Sequence, residues 1–141
     1  MVSREEFNKD LDANYEAMKL FTIDKASAKY FLPPYEWYND TIAAWTRAKA
    51  LQLINFTAGT LSHADYTTPD LKNYRSSEQI MQSILNYEKS HPSGLNGFIL
   101  LVHIGAGPSR TDKFYLRLSE LISWLREKNY EPIRIDSLLK N

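Results

Sequence analysis

Apolar residues recur at helical spacing in four parts of the chain. The first part follows Ser3-Arg4-Glu5-Glu6, and the third opens with Ser76-Ser77-Glu78-Gln79. Ser3-Arg4-Glu5-Glu6 fits a capping box, in which a side-chain oxygen accepts a hydrogen bond from a free amide of the first helical turn. Ser76-Ser77-Glu78-Gln79 is a similar helix start. Asn39 or Asp40 is a capping residue for the second part. The pattern therefore predicts helices over residues 4–20, 39–50, 76–91 and 111–125.

Four short β-prone runs alternate with these helices. They occupy residues 28–32, 51–56, 98–102 and 133–135. The run Phe98-Ile99-Leu100-Leu101-Val102 is apolar at every position, which is typical of a strand buried on both faces of a parallel sheet. Alternating helices and strands favour parallel pairing through right-handed crossovers. The predicted fold class is α/β, with about four parallel strands forming a partial (β/α) barrel or an open sheet, in a single domain over residues 1–141.

Composition excludes several classes of protein. The 141 residues include no cysteine, so a disulfide scaffold and a thiolate metal site are ruled out. Seventeen basic side chains balance 17 acidic ones, and neither half of the chain has the basic surface expected of a nucleic-acid partner. The longest apolar run, Gly97–Ile104, is far shorter than the roughly 20 residues of a membrane span, and no signal peptide is expected in this chain.

Polar or proline-rich segments follow three of the predicted strands. They are Leu32–Trp37, Asn55–Asp70 and His103–Arg110. Chemistry in folds with parallel strands collects at the carboxyl ends of the strands, so we expect functional residues in these three segments. The candidates are Tyr35, Trp37, His63, Asp65, Tyr66, His103 and Arg110.

Three of these stretches, in chain order, resemble the C-terminal motifs of the polysaccharide deacetylase family, the NodB-homology domain of carbohydrate esterases. Phe31-Leu32-Pro33-Pro34-Tyr35 resembles the Arg-Pro-Pro-Tyr segment, with Leu32 in the arginine position. Ser62-His63-Ala64-Asp65-Tyr66 resembles the aspartate-tryptophan segment, with Tyr66 in the tryptophan position. Leu100-Leu101-Val102-His103-Ile104-Gly105 resembles the leucine-rich strand that ends in the catalytic histidine. The resemblance extends from about Ser3 to Leu139.

The resemblance implies a distorted (β/α) barrel that hydrolyses N- or O-acetyl groups on oligo- or polysaccharides, outside the cytoplasm. In the family a divalent metal, commonly zinc, is held by one aspartate and two histidines and activates the attacking water. His103 then protonates the leaving group, the backbone N–H of Tyr35 helps to hold the oxyanion, and Asp65 supports the site. Contacts to substrate are expected from Trp37, Tyr66, His63 and Arg110.

The metal-binding motifs of that family do not occur in these 141 residues. Neither its Thr-Phe-Asp-Asp motif nor its paired-histidine motif is present, and His63, His91 and His103 do not have the spacing of a metal site. We therefore expect the chain to correspond to the C-terminal part of a deacetylase domain, with the metal held elsewhere in a longer parent and the isolated chain inactive. A closed barrel needs at least about 200 residues. Exposed strand edges would then require a homo-oligomer or a capped open sheet.

Two other interpretations remain open. The chain is a non-catalytic carbohydrate-binding or assembly remnant of the fold, which keeps the aromatic residues Tyr35, Trp37 and Tyr66. Alternatively, it is an unrelated small α/β domain in which the matches arise by chance. In that case His103 is a core histidine and Asp65 caps its own loop.

Overall fold

Helices dominate the computed structural model, which describes residues 2–139. The α-helices are α1 (Arg4–Lys19), α2 (Asp40–Ala48), α3 (Ser77–Ser90), α4 (Leu118–Glu127) and α5 (Ile135–Leu138). Short 3-10 helices lie at Pro34–Glu36, Ser62–Ala64 and Phe114–Arg117. The strands found in residues 2–139 are β1 (Tyr30–Phe31) and β2 (Gln52–Leu53), which pair in parallel with Tyr30 opposite Gln52.

The predicted α/β fold with about four parallel strands is wrong. Of residues 2–139, 46% lie in helices and 3% in strands, so these residues form neither a (β/α) barrel nor a four-stranded open sheet. The first two predicted strands do pair, for two residues each. The third, Phe98–Val102, joins no ladder, and the fourth gives way to α5, which begins at Ile135.

The third predicted strand makes one contact with the residues after β2. The N–H of Thr57 donates to the carbonyl of Ile99 at 2.9 Å, which is a normal interstrand bond. The N–H of Ile99, however, donates to the side-chain Oγ1 of Thr57 at 3.0 Å. At this pair a hydroxyl takes the place of a backbone carbonyl, and the described residues form no ladder there.

The predicted helix starts are confirmed for α1, α2 and α3. Ser3 and Glu6 form the reciprocal capping box, with the N–H of Ser3 donating to the Glu6 carboxylate at 2.7 Å. Ser76 and Gln79 form the same arrangement before α3, and Asn39 caps α2. The fourth helix begins later than predicted, at a 3-10 turn from Phe114, because Asp112 is engaged by the start of α3.

The chain divides into two compact units. Unit one ends at Asn55 and unit two begins at Phe56. In unit one, Phe7 and Leu11 of α1 pack with Leu51, and the ring of Phe7 meets the ring of Phe31 edge-on at 5.7 Å. The apolar face of α1 therefore covers the short sheet.

The core of unit two lies between α3 and α4. Its fully buried members are Ile80, Met81, Ile84, Phe114 and Leu121. Leu100 and Val102, from the extended segment that precedes His103, pack against this core. Alternate side chains of the segment are thereby fixed, and the position of His103 follows from that packing.

Candidate functional site

Asp65 and His103 form a hydrogen-bonded pair in unit two. One carboxylate oxygen of Asp65 lies 2.6 Å from Nδ1 of His103, and the other accepts from the backbone N–H of His103 at 2.7 Å. Asp65 is 2% exposed, whereas the His103 side chain is 32% exposed. The carboxylate is therefore inside the protein and the imidazole reaches the surface.

Local structure holds Asp65 in place. The residue follows the 3-10 helix Ser62–Ala64, and its N–H donates to the carbonyl of Ser62 at 3.2 Å. Thr67 is fully buried, and its hydroxyl donates a hydrogen bond to the carbonyl of Ala64 at 2.6 Å. The loop that was predicted to be long and polar is therefore fixed around the aspartate.

The contact with Asp65 determines which imidazole nitrogen is available for chemistry. An ionised carboxylate only accepts hydrogen bonds, so Nδ1 of His103 carries a proton and its N–H donates a hydrogen bond to Asp65. Nε2 is then the ring nitrogen that Asp65 does not engage. An imidazole oriented in this way by a buried carboxylate is the acid–base arrangement found in many hydrolases.

The ring of Tyr66 contacts the pair, and the ring of His63 packs elsewhere. Tyr66, which is half-exposed, meets the ring of His103 edge-on with centroids 5.3 Å apart. His63 stacks instead on Phe56 at 4.9 Å, and its Nδ1 is buried without a hydrogen-bond partner in residues 2–139. Tyr66 therefore lies beside the proton-carrying group, while Nδ1 of His63 faces the interior.

Arg110 lies inside unit two. It is fully buried, and its guanidinium donates to the carbonyls of Thr67 at 2.7 Å and Arg75 at 3.0 Å. A further donor reaches the hydroxyl of Ser77 at 3.3 Å. Arg110 therefore holds together the loop that carries Asp65 and the start of α3, and its predicted contact with substrate stays a prediction.

Asp112 completes this network, a role that sequence reasoning missed. Its carboxylate accepts from the N–H of Ser77 at 2.6 Å and from the hydroxyl of Tyr74 at 2.9 Å. Burial opposes ionisation, but these hydrogen bonds and the charge of Arg110 outweigh it and hold the pKa of Asp112 below its usual range. Because the partners are more than 30 residues apart in sequence, no local pattern marks them.

Tyr35 and Trp37 belong to unit one. They are 85% and 84% exposed and lie on the turn after Pro33. Tyr35 and Glu36 both have left-handed backbone conformations, with φ of 56° and 59°, which are uncommon for residues other than glycine. The side-chain amide of Asn55 donates to the carbonyl of Glu36 at 2.9 Å and supports the turn.

The residues present do not fit the metal site of the family. No group of three or more His, Cys, Asp or Glu side chains able to hold a metal ion lies within residues 2–139. Nδ1 of His103 is engaged by Asp65, and His91 stacks on Tyr87 at 4.9 Å. The ligand set of one aspartate and two histidines is therefore not formed by this part of the chain. Across the same residues, no helix has the length and apolar character needed to cross a membrane.

Comparison with protein-family models, with curated proteins and with solved structures found no match to this chain.

Proposed function

We propose that the Asp65–His103 pair is the acid–base element of a hydrolase that removes acetyl groups from carbohydrates. His103 donates the proton from Nε2 to the departing amine or alcohol, and Asp65 orients the imidazole. The observation that carries this proposal is the two-point contact between the residues, at 2.6 Å and 2.7 Å.

The geometry suits general acid catalysis. A general acid needs a fixed orientation, a defined tautomer and access to the reacting atom. The buried carboxylate supplies the fixed orientation and the defined tautomer. The one-third exposure of the His103 side chain supplies access to the reacting atom. A histidine kept only for packing does not require a carboxylate that bonds both its ring and its backbone.

The substrate class rests on the resemblance of Leu100–Gly105 and Ser62–Tyr66 to the motifs of polysaccharide deacetylases. Residues 2–139 supply the acid side of such a reaction, and the ligand set for a divalent metal is not among them. We therefore expect no metal-dependent turnover by this polypeptide alone.

Nitrogen NMR of the histidine side chains tests the proposal directly. The imidazole signals of His103 are followed while N-acetylated chito-oligosaccharides, and then the deacetylated oligomers, are added. We expect the acetylated ligand to shift the His103 signals more than the deacetylated one, with His91→Gln as a control that leaves this response unchanged. Equal responses to both ligands, or none, would contradict the assignment of substrate.

A turnover assay tests whether this polypeptide alone is inactive. It uses zinc or cobalt with acetylated chito-oligosaccharides and acetyl-xylan as substrates. Absence of acetate release is the expected result for the isolated chain. Metal-dependent release that disappears in His103→Ala would keep the role of His103 and overturn the expectation that the ligands lie elsewhere.

A non-catalytic carbohydrate-binding protein is the second candidate, favoured by the aromatic turn of unit one. Tyr35 and Trp37 expose most of their ring area on a backbone held in an uncommon conformation. Such conformations cost about 1–3 kcal/mol each and are concentrated at functional sites. Exposed aromatic rings offer flat apolar faces to sugar rings.

Isothermal titration calorimetry separates this candidate from the first. Binding of acetylated and unacetylated oligosaccharides with similar affinity, lost in Trp37→Ala and kept in Leu20→Ala, supports a binding protein. Leu20 is a suitable control because it is also highly exposed in unit one but lies far along the chain from the turn. Loss of binding in neither variant excludes the aromatic turn as the binding site.

A further inference from the structure

A cavity of about 630 Å³ lies between the core of unit two and the C-terminal part of the chain. Leu121 and Leu125 of α4 line its floor. Phe98–Leu100 form one side wall, and Asn129–Ile133 together with α5 form the other. Because both walls come from the same unit, the space has the form and the size of a small-molecule site.

Hydrogen bonds hold both walls in place. The N–H of Leu95 donates to the hydroxyl of Tyr130 at 3.1 Å, and the N–H of Tyr130 donates to the carbonyl of Leu125 at 2.9 Å. On the opposite wall, Ile99 exchanges hydrogen bonds with Thr57. The cavity is therefore formed before any ligand enters, as is usual for small-molecule sites.

Leucine and isoleucine make up most of the lining, 11 of 18 residues. Such a surface offers dispersion contacts and removal of apolar area from water, but few hydrogen bonds. Sugars and nucleotides are therefore poor ligands for this cavity, and an alkyl chain is a good one. Ile84 and Leu121, at the inner end, are each 1% exposed, so a chain that reaches them leaves water completely.

The mouth of the cavity is polar and carries one charge. Asn96, Asn129 and Glu131 line it and are exposed. Glu131 is the only acidic or basic side chain in the lining. Within residues 2–139 its carboxylate forms no ion pair and accepts no hydrogen bond, and nearby Arg134 pairs with Asp136. A carboxylate without a counter-charge attracts a positive group and repels a negative one.

We propose that the cavity binds a single-chain aliphatic molecule with a cationic head group. The alkyl chain lies against Leu121 and Leu125, and the head group lies beside Glu131. The apolar lining selects the chain, and the unpaired carboxylate selects the charge of the head. His103 is not among the lining residues, so this site does not depend on the chemistry proposed for the Asp65–His103 pair.

The charge of the head group is tested by isothermal titration calorimetry with decyltrimethylammonium and with decanoate, both below their micelle concentrations. We expect the cation to bind with one-to-one stoichiometry and about fivefold or more tightly than the anion. Glu131→Gln should remove this difference. Glu127→Gln, at an exposed position of α4 outside the lining, should keep it. Equal affinity for the two molecules, or an unchanged difference in Glu131→Gln, overturns the assignment of the head group.

The burial of the chain is tested with butyl-, hexyl-, octyl- and decyltrimethylammonium. Each added CH₂ should tighten binding by about threefold to fourfold while the cavity fills. An affinity that does not depend on chain length would show an ion pair at the surface, and would overturn the assignment of the cavity.

Methyl NMR of the wild-type protein locates the ligand. The signals of Ile84 and Leu121 should shift as decyltrimethylammonium is added, and those of Leu11 and Leu51, in the core of unit one, should not. Binding without shifts at Ile84 and Leu121, or no binding, excludes this cavity as the site.

Discussion

Asp65 contacts His103 through both of its carboxylate oxygens, one on the ring Nδ1 and one on the backbone N–H. The two residues are 38 positions apart, so this contact joins the loop after β2 to the segment that packs on the core of unit two. The same residue therefore orients the imidazole and attaches the loop to this segment.

Replacing Asp65 by Asn tests whether the carboxylate sets the tautomer and orientation of the His103 imidazole. The variant keeps the shape of the side chain but loses the anionic acceptor, so the proton on Nδ1 of His103 is no longer favoured. We expect the Nε2–H tautomer to increase and the backbone amide of His103 to exchange faster, both measured by NMR. Asp70→Asn, in the same loop but exposed, is the control and should leave the His103 signals in place. Unchanged tautomers in Asp65→Asn would remove the orienting role.

In any polypeptide or complex that contains this chain and deacetylates carbohydrate, His103→Ala should lower turnover by about 10²–10⁴-fold, as expected when a general acid is lost. The KM should change little if the imidazole acts mainly in proton transfer. Near-normal turnover would show that the histidine has a structural role only.

Replacing Arg110 by Met should destabilise unit two. The variant retains an apolar stem but leaves the buried carbonyls of Thr67 and Arg75 without donors, at a cost of about 2–4 kcal/mol. Urea denaturation measures the change in the free energy of unfolding. Arg134→Met removes an exposed ion pair with Asp136 and should leave the stability nearly unchanged. Equal stability of both variants would show that the buried network contributes little.

Stability should fall in acid through Asp112. Its pKa in the folded protein lies below the usual value, so its contribution is fully present above about pH 4, the ordinary range of an aspartate in the unfolded chain. The contribution is lost as the pH falls through the lowered pKa of the folded state. Denaturation at a series of pH values should show a shallower decline for Asp112→Asn than for the wild type. Parallel declines would place the acid sensitivity in other groups.

Two glycines of unit two should respond differently to alanine. Gly59 has φ of +120°, and a Cβ there would overlap the ring of Tyr87, so Gly59→Ala should lower stability by about 1–3 kcal/mol. A Cβ at Gly105 meets no atom within 4 Å, so Gly105→Ala should change stability by less than about 1 kcal/mol. Thermal melts of the two variants compare them, and similar melting temperatures would contradict the packing of Tyr87 over Gly59.

Helix starts were predictable because they depend on neighbours in sequence. Ser3 with Glu6, and Ser76 with Gln79, satisfy each other's backbone groups within three residues. The strands were less predictable because a strand needs a partner from elsewhere in the chain. Phe98–Val102 has the composition of a buried strand, yet the N–H of Ile99 bonds to the hydroxyl of Thr57 and the described residues form no ladder there.

In the candidate site, too, features set by neighbouring residues were predictable and contacts between distant residues were not. The sequence selected Asp65, Tyr66 and His103 separately, from their positions after apolar runs and from a family resemblance. It named Arg110 as a candidate contact to substrate, and in the structure this side chain is fully buried. A charged side chain is buried only where enough acceptors converge on it, and those acceptors come from distant parts of the chain.

Local spacing and composition are enough to predict the capped helices and the apolar character of residues 98–102 that lead to His103. The contact between Asp65 and His103, the network of Arg110 and Asp112, and the end of each strand after two residues arise only when the chain folds. These outcomes depend on hydrogen bonds between residues more than 30 positions apart, or on which of two competing acceptors an amide reaches, and neither is encoded in a local pattern.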